Sequence, residues 1–191
     1  MSSIGRRAFA CLLLASGLAF AAACGSDLPT TTKAPEKPRP VLSIDPTAYY
    51  VVRNVAGKVM DVSNNGCCNG AWIHIWTYEG QANQQWRIVD VGGGYYKFVA
   101  RHSGRVLDVE SASQSDGARI HQWDYQGLTN QQWSINSCSC GYGAYYLAAR
   151  HSGKVATING GSVYSNGTGV KQYPYYGPSY VTQLWYLEQV P

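Results

Sequence analysis

The sequence predicts an all-β fold built from three copies of one unit, and three observations support this prediction. The stretch Gly57 to Trp86 aligns without a gap on Gly104 to Trp133, 47 positions further on, with fifteen identities in thirty positions. A weaker third copy begins at Gly153. The composition, with 13% aromatic residues, 21 glycines and 14% charged residues, is typical of a compact β-protein. Copies spaced by about 47 to 50 residues indicate a repeat architecture.

Each copy contains the same series of short strand patterns. A tyrosine pair opens an alternating segment, and a glycine turn leads to a Val-Met-Asp-Val type segment. A loop rich in Gly, Asn and Ser then precedes an Ile-His-x-Trp segment, and a last strand starts at Gln-x-Trp. Four strands per copy give about twelve, and three units are too few to close a β-propeller. The sequence therefore predicts a β-trefoil with repeats at about 47–92, 93–141 and 142–189.

Two further segments precede the repeats. Residues 1–23 are predicted to be an export signal, because an arginine pair precedes an apolar run that ends in small residues. The junction at Cys24 resembles a bacterial lipoprotein signal, in which this cysteine is lipidated, and the arginine pair also resembles a twin-arginine signal. Plain cleavage, which leaves an unmodified thiol, is the alternative. Residues 24–45 are rich in Pro and Thr and predict an extended tether for a domain at 46–191.

Charge and chemistry exclude several classes of function. The formal net charge is +4, but five of the fifteen basic residues precede the repeats, and the remaining bases and acids nearly balance within the repeats. Without a basic stripe we expect no nucleic-acid partner, and a membrane contact only through a lipid on Cys24. No nucleophile with a base and no phosphate-binding loop is recognisable, so we expect no catalytic residue, no enzyme activity and no cofactor. The four histidines are dispersed, which argues against a metal site.

Six cysteines are present, of which Cys11 lies in the signal and Cys24 at its end. An oxidising compartment favours disulfides among the remaining four, and four cysteines allow three connectivities. Because neighbours rarely pair, we expect two bridges that join one pair of neighbours to the other, provided that their loops meet. A zinc site is the alternative, but the usual two-residue spacer between paired cysteines is absent. These four residues are Cys67, Cys68, Cys138 and Cys140.

A comparison of the three copies separates framework residues from candidate binding residues. One tryptophan occurs in every copy, and its large apolar area predicts a core position: these are Trp86, Trp133 and Trp185. A glutamine two positions earlier is equally general, and we interpret it as a brace for the site or its turn: these are Gln84, Gln131 and Gln183. A second set is complete only in the first two copies: Asp61, Trp76 and Asn83 match Asp108, Trp123 and Asn130, whereas the third copy has Thr157, Tyr173 and Thr182.

The spacing of Gly-Lys-Val-Met-Asp-Val, Ile-His-Ile-Trp and Asn-Gln-Gln-Trp resembles the ricin B-chain type lectin family, which also supplies xylan- or arabinan-binding modules to bacterial glycosidases. The resemblance covers Tyr49 to Glu188. It implies a β-trefoil with up to one shallow sugar site per repeat. It also implies that the aspartates accept hydrogen bonds from neighbouring sugar hydroxyls, that Trp76 and Trp123 stack on the sugar ring, and that the asparagines bond to the same hydroxyls.

Two histidines, His74 and His121, stand two residues before these aromatic residues and therefore share a strand face with them. The family commonly places a polar residue that touches the sugar at this position. A solvent-facing histidine without a role is an equally weighted alternative, and the third copy has Lys171. Together with Gln84 and Gln131, these residues complete the predicted sites of the first two repeats.

The predicted function is an exported, surface-tethered or secreted monomeric lectin module with two sugar sites and a degenerate third repeat. The expected partners are glycans that contain galactose, xylose or arabinose. Two alternatives belong to other classes. A trefoil protease inhibitor needs a rigid exposed loop, for which the insertion at Pro174 to Tyr180 is the candidate. A structural adhesin needs no saccharide site.

Overall fold

Twelve β-strands and five single-turn 3₁₀ segments form the domain in the computed structural model, which describes residues 43–140, 143–160 and 162–191. The predicted export signal, Cys24 and most of the predicted tether lie outside the described residues. Within the described ranges, no helix is long and apolar enough to cross a membrane.

The strands fall into three groups of four, which confirms the prediction of four short strands in each of three repeats. Repeat one contains β1 (Tyr49–Asn54), β2 (Val59–Val62), β3 (Ile73–Trp76) and β4 (Trp86–Gly92). Repeat two contains β5 (Tyr95–Ala100), β6 (Val106–Val109), β7 (Ile120–Trp123) and β8 (Trp133–Ser137). Repeat three contains β9 (Tyr145–Ala149), β10 (Val155–Ile158), β11 (Thr168–Tyr173) and β12 (Trp185–Val190).

The 3₁₀ segments occupy equivalent places in the repeats. One segment lies directly ahead of the last strand of every repeat: Ala82–Gln84, Thr129–Gln131 and Val181–Gln183. Two more follow β2 and β6: Ser63–Asn65 and Glu110–Ala112.

The first and last strands of the repeats pair in a closed ring. Long antiparallel ladders join β4 to β5, β8 to β9 and β12 to β1. Within each repeat, the first strand meets the last at one tyrosine and one tryptophan, as at Tyr50 and Trp86. Because every strand of the ring has two neighbours, the six strands form a barrel without a free edge.

The remaining six strands form three hairpins, β2–β3, β6–β7 and β10–β11, around a pseudo-three-fold axis. Each hairpin pairs with the next hairpin through residues at equivalent positions. These pairs are Trp72 with His121, Arg119 with Lys171, and Gly169 with His74. A closed barrel capped by three hairpins is the β-trefoil that the sequence predicts.

The tryptophans common to all repeats lie in the core, and this confirms their interpretation as framework residues. Trp86, Trp133 and Trp185 are each 0% exposed. Each indole N–H also donates to a backbone carbonyl of the second strand of its own repeat. The acceptors are Met60 at 3.3 Å, Leu107 at 3.0 Å and Ala156 at 3.0 Å. Each tryptophan therefore joins the barrel to its own hairpin.

The loops that follow β2 and β6 are bound to the next repeat. Gln122 Nε2 donates to the carbonyl oxygens of Gly66 at 2.6 Å and Cys68 at 2.9 Å, while its Oε1 accepts from Ser103 Oγ at 2.7 Å. Gln172 makes the equivalent three contacts with the loop after β6 and with a serine of repeat three. These side chains attach successive repeats to one another.

The expected cross-pairing of the four domain cysteines is wrong. Cys138 is bonded to Cys140 in the connection from β8 to β9, where Cys138 packs with Leu184 of repeat three. Cys67 and Cys68 are free thiols in the loop from β2 to β3. Because that loop is bound to the side of repeat two, its sulfurs do not meet the other pair, and the described residues hold one disulfide instead of two.

Replacing Trp133 by alanine is expected to lower the free energy of unfolding by about 3 to 5 kcal/mol, because it removes a fully buried indole and its hydrogen bond to Leu107. Urea denaturation followed by circular dichroism measures this loss. Tyr164→Ala is the control, since Tyr164 is 76% exposed and its loss is expected to change the stability by less than about 0.5 kcal/mol. A loss below about 1 kcal/mol for Trp133→Ala contradicts the assigned role.

Candidate functional site

The first candidate site lies on the β2–β3 hairpin. Asp61 of β2 stands opposite His74 of β3 in the strand register. Alternation along β3 places His74 and Trp76 on one face, while the two isoleucines that alternate with them are buried in the core. The 3₁₀ segment ahead of β4 brings Asn83 to the same place. The structure therefore brings together four of the five residues that the sequence predicts for this site, and the fifth, Gln84, also lines the cleft.

Hydrogen bonds hold the Asp61 carboxylate in one orientation. His74 Nε2 lies 2.9 Å from Asp61 Oδ1, and Asn83 Nδ2 donates to the same oxygen at 3.1 Å. Asn83 Nδ2 also donates to the carbonyl oxygen of Val62 at 3.1 Å. The imidazole of His74 lies beside the indole of Trp76, with ring centroids 5.3 Å apart and planes inclined by 23°. A largely buried acceptor thus stands at the edge of an aromatic surface.

These residues line a cleft of about 240 Å³. Its rim is polar, and Trp76 Nε1 donates to Glu79 Oε1 at 3.3 Å, which orients the indole. The cleft is lined by Asp61, Asn64, Asn65, His74, Trp76, Glu79, Gln81, Asn83 and Gln84.

Repeat two contains the same arrangement on β6 and β7. His121 Nε2 lies 2.9 Å from Asp108 Oδ1, and Asn130 Nδ2 donates to Asp108 Oδ2 at 3.1 Å and to the Val109 carbonyl at 3.0 Å. The rings of His121 and Trp123 repeat the separation of 5.3 Å and the inclination of 23°. The two histidines are therefore bound to the aspartates, and neither is a solvent-facing side chain without a partner.

The second cleft is larger, at about 480 Å³, and its rim is more apolar. Leu128 and Ala112 stand where the first cleft has Gln81 and Asn65. The lining residues are Asp108, Glu110, Ser111, Ala112, His121, Trp123, Gln126, Leu128 and Asn130.

Both clefts are bordered by residues with left-handed backbone conformations, which the sequence patterns did not indicate. The φ angles are 58° and 49° at Asn64 and Asn65, and 57° and 48° at Ser111 and Ala112. Asparagine tolerates this region, so the Asn-Asn pair is a weak sequence signal, whereas Ser-Ala gives none. Side chains with a Cβ are strained there, and such strain is concentrated at functional sites.

The glutamines of the Gln-x-Trp motif are buried beside the clefts. Gln131 Nε2 donates to the Asp124 carbonyl at 2.8 Å, and its Oε1 accepts from the Gln126 backbone N–H at 2.7 Å. Gln84 makes the same two contacts with Thr77 and Glu79 in repeat one. Their amides are occupied by the backbone of the turn that follows the aromatic residue, as a bracing role requires.

Repeat three lacks the carboxylate and uses its hydroxyl groups internally. Thr157 Oγ1 donates to the Val155 carbonyl at 2.9 Å and accepts from Gln183 Nε2 at 3.1 Å. Lys171 stands opposite Thr157 in the strand register, where the other repeats have histidine. The Tyr173 hydroxyl donates to Asn159 Oδ1 at 3.2 Å. This hairpin therefore has no counterpart of the bound Asp–His pair.

The aromatic residue of each cleft packs against a glycine of a neighbouring repeat. A Cβ added at Gly70 would lie 3.9 Å from Trp123, and one added at Gly167 would lie 3.8 Å from Trp76. Both glycines have positive φ angles, of 86° and 82°. Each cleft therefore depends on the packing of the repeats as well as on its own hairpin.

The closed barrel and the hairpin cap define the chain as a β-trefoil with two equivalent polar clefts that contain an aromatic residue. A family model described as "Ricin-type beta-trefoil lectin domain-like" matches residues 42–123 and 124–191. The chain belongs to this family, so the resemblance seen in the sequence is confirmed. The fold of this family indicates carbohydrate binding.

Solved structures agree with this assignment. The designed three-fold symmetric protein ThreeFoil is 46% identical, over 74% of this chain and 99% of its own, with a TM-score of 0.69. An exo-β-1,3-galactanase from Clostridium thermocellum is 37% identical over 78% of this chain, with a TM-score of 0.71, and the match spans 31% of that enzyme.

The ricin B-like lectin of Macrolepiota procera, in complex with lactose, is 21% identical, over 78% of this chain and 100% of its own, with a TM-score of 0.67. At this identity the likeness concerns the fold alone. No curated protein matches the chain.

Replacing Gln131 by alanine is expected to lower the free energy of unfolding by about 1 to 3 kcal/mol, because it leaves the Asp124 carbonyl and the Gln126 N–H without their buried partner. Urea denaturation measures the loss. Gln126→Ala is a matched control from the same turn, since its exposed side chain makes none of these contacts. Equal effects of the two substitutions contradict the bracing role.

Proposed function

We propose that the chain is a carbohydrate-binding module with two sugar sites, the clefts of repeats one and two, and no catalytic activity. One observation carries the proposal: in both repeats the Asp carboxylate is bonded by the His at 2.9 Å and by the Asn at 3.1 Å, and the His ring lies beside the Trp ring, whereas repeat three has a hydroxyl that is already bonded. Repetition of a largely buried carboxylate beside an aromatic ring favours a binding role over a local structural one, because each single contact is typical of many turns.

The chemistry of the clefts suits a saccharide. A carboxylate such as that of Asp61 accepts charge-assisted hydrogen bonds from sugar hydroxyls, worth about 1.5 to 3 kcal/mol each. Because the bonds from His74 and Asn83 already orient it, little freedom is lost on binding. The indole of Trp76 offers a rigid apolar face to the C–H groups of the ring at a low cost in entropy.

A related structure supports galactose-containing glycans as the first ligands to examine. The protein of similar structure that is 37% identical is an exo-β-1,3-galactanase. Xylose- and arabinose-containing polymers are the other candidates, because modules of the family that the sequence resembles bind xylan or arabinan. The galactanase match spans 31% of that enzyme, which fits a binding module attached to a separate catalytic part.

Two weak sites on one monomer account for retention on a polymer. A shallow cleft is expected to bind a monosaccharide with a Kd of about 1 mM, or about 4 kcal/mol. Simultaneous occupation of both clefts by one polysaccharide raises the apparent affinity by roughly 10² or more when the spacing of the sugars permits it.

Asp61→Ala or Asp108→Ala alone is expected to halve the stoichiometry of monosaccharide binding, from about two to about one, and to lower retention on the polymer by roughly 10². The double variant is expected to bind nothing. Calorimetry with galactose, xylose and arabinose, together with pull-down on the corresponding polymers, measures both effects.

Thr157→Ala is the matched control for these variants, because it changes the equivalent position of repeat three and is expected to leave binding unchanged. Urea denaturation of each variant establishes that it is folded. Residual binding by a folded double variant, or a stoichiometry of three, contradicts the two-site proposal.

The proposal includes export, supported by the signal-like residues 1–23, and anchoring through a lipid on Cys24. Mass spectrometry of the N-terminal peptide of the protein purified from its native cell envelope is expected to find an acylated Cys24. A free N-terminus at another residue excludes the anchor and leaves a secreted module.

A further inference from the structure

The loop from β2 to β3 contains two adjacent free thiols that the proposed lectin function does not use. Cys67 and Cys68 are both exposed, and their Sγ atoms lie 3.4 Å apart. Adjacent side chains in an extended segment point to opposite sides. This loop instead turns both sulfurs toward each other at the surface.

The next repeat holds the backbone of this loop. Gly66 O accepts from His102 Nε2 at 2.9 Å and from Gln122 Nε2 at 2.6 Å, and Cys68 O accepts from Gln122 Nε2 at 2.9 Å. Arg105 donates to the carbonyl oxygen of Cys67. Because every carbonyl from Gly66 to Cys68 is bound, the fold holds the backbone that carries the two sulfurs.

The equivalent loop of repeat two has the same attachment without cysteines. Ser113 O accepts from His151 Nε2 at 2.9 Å and from Gln172 Nε2 at 2.6 Å, and Ser115 O accepts from Gln172 Nε2 at 2.9 Å. Gln114 and Ser115 stand where repeat one has its two cysteines. The loop conformation therefore does not require thiols, and their presence calls for another role.

The two thiols act on each other. The hydrogen bond that the Cys68 thiol donates to Cys67, together with the negative charge of an ionised Cys67, raises the pKa of Cys68, so the pair tends to retain a proton. Such a pair is poorly suited to act as two independent thiolate nucleophiles. It suits a ligand that binds both sulfurs at once and displaces both protons.

We propose that Cys67 and Cys68 form a two-sulfur site for a thiophilic metal or metalloid centre, of which trivalent arsenic is the representative. Among the described residues, no group of three or more His, Cys, Asp and Glu side chains is arranged to hold a metal. The centre is therefore bound by these two sulfurs alone and keeps its other substituents.

Phenylarsine oxide is a suitable probe, because its reaction with two thiols involves no oxidation or reduction. Both S–H bonds and the arsenic–oxygen bond break, two arsenic–sulfur bonds form, and the oxygen leaves as water with both protons. The full-length chain carrying Cys11→Ser and Cys24→Ser serves for the test, so that the four domain cysteines are the only ones present.

Intact-mass measurement is expected to find one phenylarsine adduct per folded chain after equimolar treatment. The adduct is expected to resist an excess of mercaptoethanol, a monothiol, at least roughly tenfold better than the adducts of the Cys67→Ser and Cys68→Ser variants, because two linked bonds must break. Dithiothreitol is expected to remove it. The Cys138→Ser/Cys140→Ser variant is the matched control and is expected to retain the adduct.

Four results would overturn the proposal. The first is the absence of an adduct, and the second is an adduct that survives in the Cys67→Ser/Cys68→Ser variant. The third is a phenylarsine adduct that mercaptoethanol removes as easily from the folded chain as from the chain unfolded in urea. That result would show that the fold contributes nothing to the retention of the adduct. The fourth is an untreated chain without free thiols, which would mean that the pair is itself a disulfide.

Discussion

The structure depends on one buried contact that occurs three times, the indole of the Gln-x-Trp tryptophan packed in the core with its N–H bonded to a carbonyl of its own hairpin. In repeat two, Trp133 is the first residue of β8 in the barrel, and its indole N–H donates to the carbonyl of Leu107 in the hairpin cap. The same short segment carries Asn130 and Gln131 on the turn just before it. A single core residue therefore fixes the distance between the barrel and the hairpin, and with it the position of Asn130 over Asp108.

The repeats share this framework but differ in what they present on it. In the first two, a carboxylate is bound by an imidazole and an amide and remains beside an indole. In the third repeat, the hydroxyl of Thr157 is bonded to Val155 and Gln183, so this polar group is used within the repeat. The framework of the third repeat is intact, since Trp185 is as fully buried as its counterparts. Loss of the carboxylate therefore changes the surface of the repeat without weakening its core.

Much of the fold could be predicted from the sequence because the repeats supply an internal comparison. Segments that alternate with a period of two and glycine turns predict the strands. The tryptophan at the position of Trp86 occurs in every copy, and this predicts its burial. The grouping of Asp61, Trp76 and Asn83 could be predicted for the same reason, because the set is complete in two copies and incomplete in the third. The mutual position of these residues also follows from strand register and alternation, which are local properties.

Features that depend on contacts between repeats could not be predicted. The predicted pairing of the cysteines is wrong because Gln122 holds the loop of Cys67 against repeat two, and no local sequence pattern indicates that attachment. The strained backbone at Ser111 and Ala112 has no sequence signal, because neither residue favours a positive φ. The packing of Trp123 against Gly70 likewise joins residues from different repeats.

The most direct test of the two-site lectin is a titration of the ¹⁵N-labelled protein with lactose, xylose or arabinose, followed through its six tryptophan indole N–H signals. Assignment by Trp→Phe substitution at Trp76 and Trp123 identifies the two cleft signals. A bound sugar is expected to shift these two signals and to leave those of Trp86, Trp133 and Trp185 unchanged. Shifts confined to the buried tryptophans, or no shift of either cleft signal with any of the three sugars, would contradict the assignment of the clefts as sugar sites.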